Sequence, residues 1–164
     1  MQGEGVFRCK KRDVFGTPEK LFAWIETKFG TDLRNAYDPC PFNPTENGLS
    51  IDWVSPTYCN PPFSKAVAWT RKAIEECKKG VEVFLLLPWY TFAPSTCSKV
   101  RLLLTTVMYT RETFGTAIFE SPYPDEPPAK IGVSVFHLSP LFQQDIGKRS
   151  CPKHILFKDY DLMC

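Results

Sequence analysis

The feature that most restricts the fold of this chain is an almost unbroken apolar run at residues 81–87, closed by Pro88. Its length suits a strand, and a strand apolar at nearly every position must be covered on both faces, as the central strands of parallel sheets are. The residues before it read as an amphipathic helix. Ser64 can cap it, Val67, Trp69, Ala73, Ile74 and Cys77 form its apolar stripe, and Gly80 ends it. Earlier still, Thr57, Tyr58 and Cys59 read as a short buried strand. Strand, helix, strand implies a right-handed crossover, so the sequence predicts an α/β fold: an open, mostly parallel sheet with helices on both faces. Ligands of such sheets bind beyond the carboxyl ends of the strands. Two polar segments, Asp38-Pro39 and Asn60-Pro61-Pro62-Phe63, fall at such ends.

The rest of the chain fits around this unit. Thr17 and Pro18 open a helix as N-cap and first residue, Leu21, Trp24, Ile25 and Lys28 recur at helical spacing, and Gly30 stops it. Residues 34–38 read as a short strand and 39–50 as loop. A short helix is expected at 94–100, and strands at 102–109, 116–120 and 131–138. The proline-rich stretch 121–129 between the last two is an exposed or functional loop. The domain reading is a basic segment at 1–13, one domain at 14–140, and a tail at 141–164 packed on or extending it.

With 164 residues the chain suits one domain, and a net charge of +2 means that any nucleic-acid contact comes from a local patch. Seven cysteines show no disulfide framework, the first residues carry no apolar leader core, and the longest apolar run is too short to span a bilayer. The expectation is a protein of a reducing compartment, cytoplasmic or nuclear, neither secreted nor membrane-bound. Cys151 and His154 could be half a zinc site, but no second half has metal-ligand spacing, so no metal is assigned.

Asn60-Pro61-Pro62-Phe63 carries the chemistry. The exocyclic amine of a nucleic-acid base is a poor nucleophile because its lone pair is delocalised into the ring. Accepting hydrogen bonds from both N–H groups favours a tetrahedral nitrogen with its lone pair aimed at a methyl donor. An Asn side-chain oxygen and the carbonyl of the next residue make such a pair of acceptors. The two prolines fix the backbone that presents that carbonyl, and the aromatic can stack on an extruded base. A plain proline-rich turn leading into a helix is the alternative reading of the same residues.

Several segments, in order, resemble the phage-type DNA N6-adenine methyltransferases, the phage Dam family. They are Phe15-Gly16-Thr17-Pro18-Glu19-Lys20-Leu21-Phe22, Lys28-Phe29-Gly30 followed by Asp38-Pro39-Cys40, Gly48-Leu49-Ser50-Ile51-Asp52-Trp53, Tyr58-Cys59-Asn60-Pro61-Pro62-Phe63-Ser64, and Leu85-Leu86-Leu87-Pro88. Phe119 and the strand at 133–136 resemble the family's closing segment. The resemblance implies a trimmed Rossmann-like S-adenosylmethionine-dependent methyltransferase fold, with S-adenosylmethionine as methyl donor and adenine N6 in DNA as acceptor. It implies that Thr17, Pro18, Asp38, Pro39, Cys40, Asp52 and Trp53 hold the cofactor and that Asn60, Pro61, Pro62 and Phe63 form the catalytic motif.

Each assignment has a plainer reading beside it: Thr17 as helix cap, Asp38 as a turn residue before proline, Asp52 as a solvated carboxylate. Lys65, Trp89 and Tyr90 are candidate substrate contacts, the aromatics otherwise being rim or core residues. Arg71, Lys72, Lys78 and Lys79 read as a solvated helix face, and Lys10, Lys11 and Arg12 as possible phosphate contacts. Without a separate recognition domain, target choice falls to the loops at 89–100 and 121–130. The competing functions are another amino-group methyltransferase, acting on cytosine N4, RNA adenine or protein glutamine, or an inactive nucleic-acid-binding subunit or dimer partner.

Overall fold

The computed structural model describes residues 13, 15–42, 44–92 and 99–144. Its elements are α1 (Glu19–Phe29), β1 (Thr57–Cys59), α2 (Ala66–Lys78), β2 (Val83–Pro88), α3 (Lys99–Leu104), β3 (Thr110–Phe119), β4 (Ala129–Leu138) and α4 (Pro140–Gln144). Short 3₁₀ turns at Phe63–Lys65 and Trp89–Thr91 follow the ends of β1 and β2.

The four strands lie in the order β1-β2-β4-β3. β1 and β2 are parallel and joined through α2, as the sequence predicts. β4 is antiparallel to both of its neighbours. The sheet is therefore mixed, which corrects the expectation of a mostly parallel one. The cause is local: β3 and β4 are consecutive strands joined by the loop at 120–128, a connection that suits only antiparallel pairing. Because β4 separates them, β3 runs in the same direction as β2.

The sheet buries both faces. Alternate residues of β2 serve opposite layers, as the strand period of two requires. Val83, Leu85 and Leu87 pack with α2 and α3, along with Trp53, Cys59, Trp69 and Leu104. Phe84 and Leu86 pack on the other side with Leu21 and Ile25 of α1, Tyr58 and Phe119.

Several boundaries differ from the sequence reading. The segment at 34–38 is no strand but contributes one parallel bridge, Tyr37 to Thr57, at the open edge of β1. Residues 99–104 are helix and 105–109 turn where a strand was expected at 102–109; the apolar run there buries only Val100, Leu104, Val107 and Tyr109. The strand expected at 116–120 begins earlier, at Thr110, and bulges at Gly115. Thr17 does not cap α1. Pro18 is the N-cap, and the Thr17 hydroxyl is taken up elsewhere. Ser64 does not cap α2, because its hydroxyl donates to the Asp13 carboxylate. Lys72 is no solvated residue: it is buried and its ammonium lies 2.7 Å from Glu76 Oε1. Cys151 and His154, the segments at 1–12 and 93–98, and residues 145–164 of the tail lie outside the described residues.

Gly48 fixes the path of the loop after Asp38. A Cβ there would stand 1.9 Å from the Pro39 carbonyl oxygen and 3.0 Å from the Trp69 ring. The first neighbour is backbone and cannot rotate away, while the Gly48 carbonyl itself accepts the Trp53 indole N–H at 2.7 Å. Gly48→Ala is expected to cost at least the ~1–3 kcal/mol of core overpacking, read as a lower melting temperature.

Candidate active site

The carboxyl ends of the parallel segments gather most of the residues singled out by the sequence. Tyr37 and β1 run side by side, with the Tyr58 N–H donating to the Tyr37 carbonyl at 2.9 Å. Asp38 therefore leaves its segment next to where Asn60 leaves β1. Trp89 and Tyr90 leave β2 at the same end.

Asn60 is held by its amide nitrogen. Nδ2 donates to the Phe15 carbonyl at 2.9 Å and to Thr17 Oγ1 at 3.2 Å. A backbone carbonyl can only accept, so the amide cannot be flipped, and Oδ1 faces away from Phe15. Among the described residues Oδ1 has no hydrogen-bond partner, nor has the Pro61 carbonyl. Thr17 is fixed in turn by the hydroxyl of Tyr58, 2.9 Å away. Tyr58 is buried, its ring tilted against Phe22 at 5.1 Å, and burial lifts its hydroxyl far above the usual phenol range. That hydroxyl stays protonated and serves as a strut. Tyr58 in this role escaped the sequence reading, since a tyrosine in a buried strand gives no sign of which hydroxyl it meets.

Pro61 and Pro62 are buried, and the Pro62 carbonyl accepts the Lys65 N–H at 2.9 Å to close the 3₁₀ turn. Phe63 is half-buried, with its ring edge-on to Phe119 at 6.3 Å. Lys65 is exposed. Trp89 is 56% exposed yet lies against Gly132 of β4, where a Cβ would stand 2.4 Å from its ring. The missing side chain is what lets the indole lie over the strand end. Tyr90 is 48% exposed; partial burial and the neighbouring Asp13 carboxylate raise its pKa. Asp13, which accepts the Ser64 hydroxyl, thus belongs to the same neighbourhood and was missed in the sequence for want of any motif.

Asp38 is exposed, and its Oδ1 accepts the Cys40 N–H at 2.8 Å, the turn geometry expected of an acidic residue before proline. Crowding by the protein around the carboxylate raises its pKa, and the Cys40 bond opposes that rise. Among the described residues the second oxygen has no hydrogen-bond partner. Pro39 is buried under Gly48, and Cys40 is half-buried.

Asp52 is not brought to this cluster: it precedes β1 and lies at the amino end of the strands, beside the last turn of α2. The Trp53 indole instead reaches back along α2, where its N–H donates to the Gly48 carbonyl at 2.7 Å, beside Pro39. Asp52 is exposed and pairs with the Lys79 ammonium at 2.7 Å. Trp53 is buried, stacked on Trp69 at 6.2 Å, and its backbone N–H donates to Glu76 Oε2 at 3.0 Å.

A family model for DNA N-6-adenine-methyltransferase (Dam) matches residues 6–110. The chain belongs to this family. The matched residues include every segment quoted above up to Pro88, while most of the β3–β4 hairpin lies past the match. No curated protein and no solved structure matches the chain. Among the described residues no helix is long and apolar enough to cross a membrane.

Proposed function

We propose that this Dam-family chain transfers the methyl group of S-adenosylmethionine to N6 of adenine in DNA, with Asn60-Pro61-Pro62-Phe63 as the catalytic motif on a trimmed Rossmann-like fold. The observation that carries this reading is the orientation of Asn60. Both hydrogens of its amide are committed to Phe15 and Thr17, so its oxygen is presented, together with the open Pro61 carbonyl, at the carboxyl end of the sheet. Two acceptors on adjacent residues are what an exocyclic amine needs as it becomes tetrahedral. Because they are fixed before the substrate arrives, no reorganisation is required at the moment of reaction.

The chain has groups suited to the cofactor on the same side. Asp38 offers its open carboxylate oxygen to an ammonium or ribose hydroxyl, beside the Pro39–Cys40 backbone. The segment Thr17-Pro18 leads into α1, whose Glu19 and Lys20 N–H groups have no acceptor among the described residues; a helix start of this kind suits a carboxylate. The Thr17 hydroxyl, being used to hold Asn60, is a positioning group in this reading. When bound, S-adenosylmethionine supplies a methyl group on a positively charged sulfur. Asn60 and Pro61 accept from the target amine, Phe63 stacks on the base, and Trp89 and Tyr90 border its entry. Lys65 meets the phosphate backbone, a contact that weakens as salt rises.

The direct test is mass spectrometry of nucleosides from DNA incubated with protein and cofactor. N6-methyladenine is the expected product; N4-methylcytosine or an unmodified digest would overturn the assignment. Phe63 gives a second check. Phe63→Ala is expected to weaken binding of an oligonucleotide carrying an extruded base by ~1–3 kcal/mol. Because the ring also touches Phe119, stability should fall too, but by less than the ~3–5 kcal/mol of a fully buried phenylalanine. Phe63→Leu should restore the melting temperature without restoring the binding, whereas a purely packing role would have the two recover together.

A further inference from the structure

The segments at 39–42 and 120–128 begin on opposite edges of the sheet. The first follows the Tyr37 segment beyond β1, and the second follows β3. Both leave from the carboxyl ends, because β3 runs in the same direction as β2. Four strand spacings of about 4.8 Å separate the two edges by about 19 Å. Phe42 stands four residues beyond Asp38 and Tyr123 four beyond Phe119, so each arm reaches at most about 14 Å. The arms meet: the rings of Phe42 and Tyr123 lie edge-on at 5.7 Å. Contact between opposite edges closes a strap across the carboxyl end of the sheet, where Asn60 presents its oxygen.

The strap has two properties that bear on what can approach. Pro122, Pro124, Pro127 and Pro128 stiffen its longer arm. That arm carries Glu120, Asp125 and Glu126 and no Lys or Arg, and Glu120 and Asp125 are exposed. Duplex DNA carries one charge per about 1.7 Å of axis, a single strand one per about 3.4 Å. Bringing a base of a duplex to Asn60 sets both strands against a stiff acidic strap, and the base must also be unpaired first. A single strand meets half the charge density and has no pair to break.

The geometry points to Phe42 and Tyr123 as a clasp that makes the site selective for adenine in unpaired DNA, single-stranded or locally melted, over adenine in intact duplex. This rests on the proposed methyl transfer but is separable from it, because the clasp acts on access and not on the amine.

The test compares one oligonucleotide sequence as a single strand, a duplex and a duplex with a mismatched bubble around its adenines. Methyl transfer gives kcat/KM, and fluorescence anisotropy with the Asn60→Ala protein gives binding without turnover. The wild type is expected to favour the single strand and the bubble over the duplex by about tenfold or more. Phe42→Ala and Tyr123→Ala, one on each arm, should each shrink that ratio by about fivefold through a gain on duplex, with kcat on the single strand within about twofold. Glu120→Gln with Asp125→Asn should tighten duplex binding and leave the clasp in place. A wild type that favours duplex, or ratios unchanged in both clasp variants that melt normally, would overturn the clasp. If no substrate accepts a methyl group, the proposed activity fails, and the binding ratios still decide whether the clasp selects unpaired strands.

Discussion

Replacing Asn60 by Ala is expected to lower kcat on an adenine-containing oligonucleotide by about 10²–10³-fold, the measure of removing one preorganised hydrogen bond to a developing transition state. Affinity for S-adenosylmethionine, read by calorimetry, should change little, because the side chain holds Phe15 and Thr17 and not the cofactor groups assigned to Asp38 and α1. Lower kcat at constant cofactor affinity is the mark of an interaction made chiefly in the transition state. The structure also sharpens what Asn60→Asp should do. A carboxylate could still accept from the amine, so the sequence alone suggests partial activity. Here, however, its second oxygen would face the Phe15 carbonyl at 2.9 Å, acceptor against acceptor. Leaving that half-buried acceptor pair facing each other costs up to about 1–3 kcal/mol. Asn60→Asp should therefore be less stable than the parent, and its stability should recover as pH falls and the protonated acid donates to Phe15. Normal turnover by a normally melting Asn60→Ala protein would remove Asn60 from the chemistry.

The candidate site was legible where local sequence dictates local geometry. Asn60 to Phe63 after an apolar strand, and Asp38 before proline, needed only the rule that ligands gather at the carboxyl ends of parallel strands. What decides Asn60's orientation was not legible, since the Phe15 carbonyl lies 45 residues away and backbone atoms carry no sequence signature. The same holds for Tyr58, Thr17 and Asp13, whose partners are set by how α1 and its leading segment dock on the sheet. Asp52 and Trp53 were read together from their place in a family-like segment, but the fold parts them: Asp52 pairs with Lys79 at the amino end, while the Trp53 indole bonds Gly48 beside Pro39. In the fold, the central β-α-β unit was readable from its hydrophobic pattern. Residues 102–109 were not, because a short apolar run does not distinguish a buried strand from a helix segment. The direction of β4 followed from a hairpin that periodicity alone does not reveal.

Glu76 should be the most stability-critical charge in the described chain, which the sequence, reading α2's charges as a solvated face, would not suggest. The residue is 1% exposed, and its two oxygens take three donors: the Lys72 and Lys79 ammonium groups at 2.7 and 2.9 Å, and the Trp53 N–H at 3.0 Å. It thus ties α2 to the segment that leads into β1, and Trp53 continues the tie to Gly48 and the loop after Asp38. Burial alone would raise its pKa, but the bonds from Lys72, Trp53 and Lys79 outweigh it and bring the value down to about 2. A carboxylate whose folded pKa lies below its unfolded value stabilises the fold above the unfolded value, near 4.5, and loses that contribution as pH falls toward about 2. Chemical denaturation between pH 7 and pH 2 should therefore show an acid limb of falling stability that Glu76→Gln largely lacks. At neutral pH Glu76→Ala should cost about 3–5 kcal/mol, since it leaves the buried Lys72 ammonium without its partner. Replacing Lys72 by Met in the same protein should recover part of the loss, because an apolar pair avoids the stranded charge. A single Glu76→Ala substitution that left the melting temperature within a degree or two would show that water reaches Lys72 and that the pair is a surface one in solution.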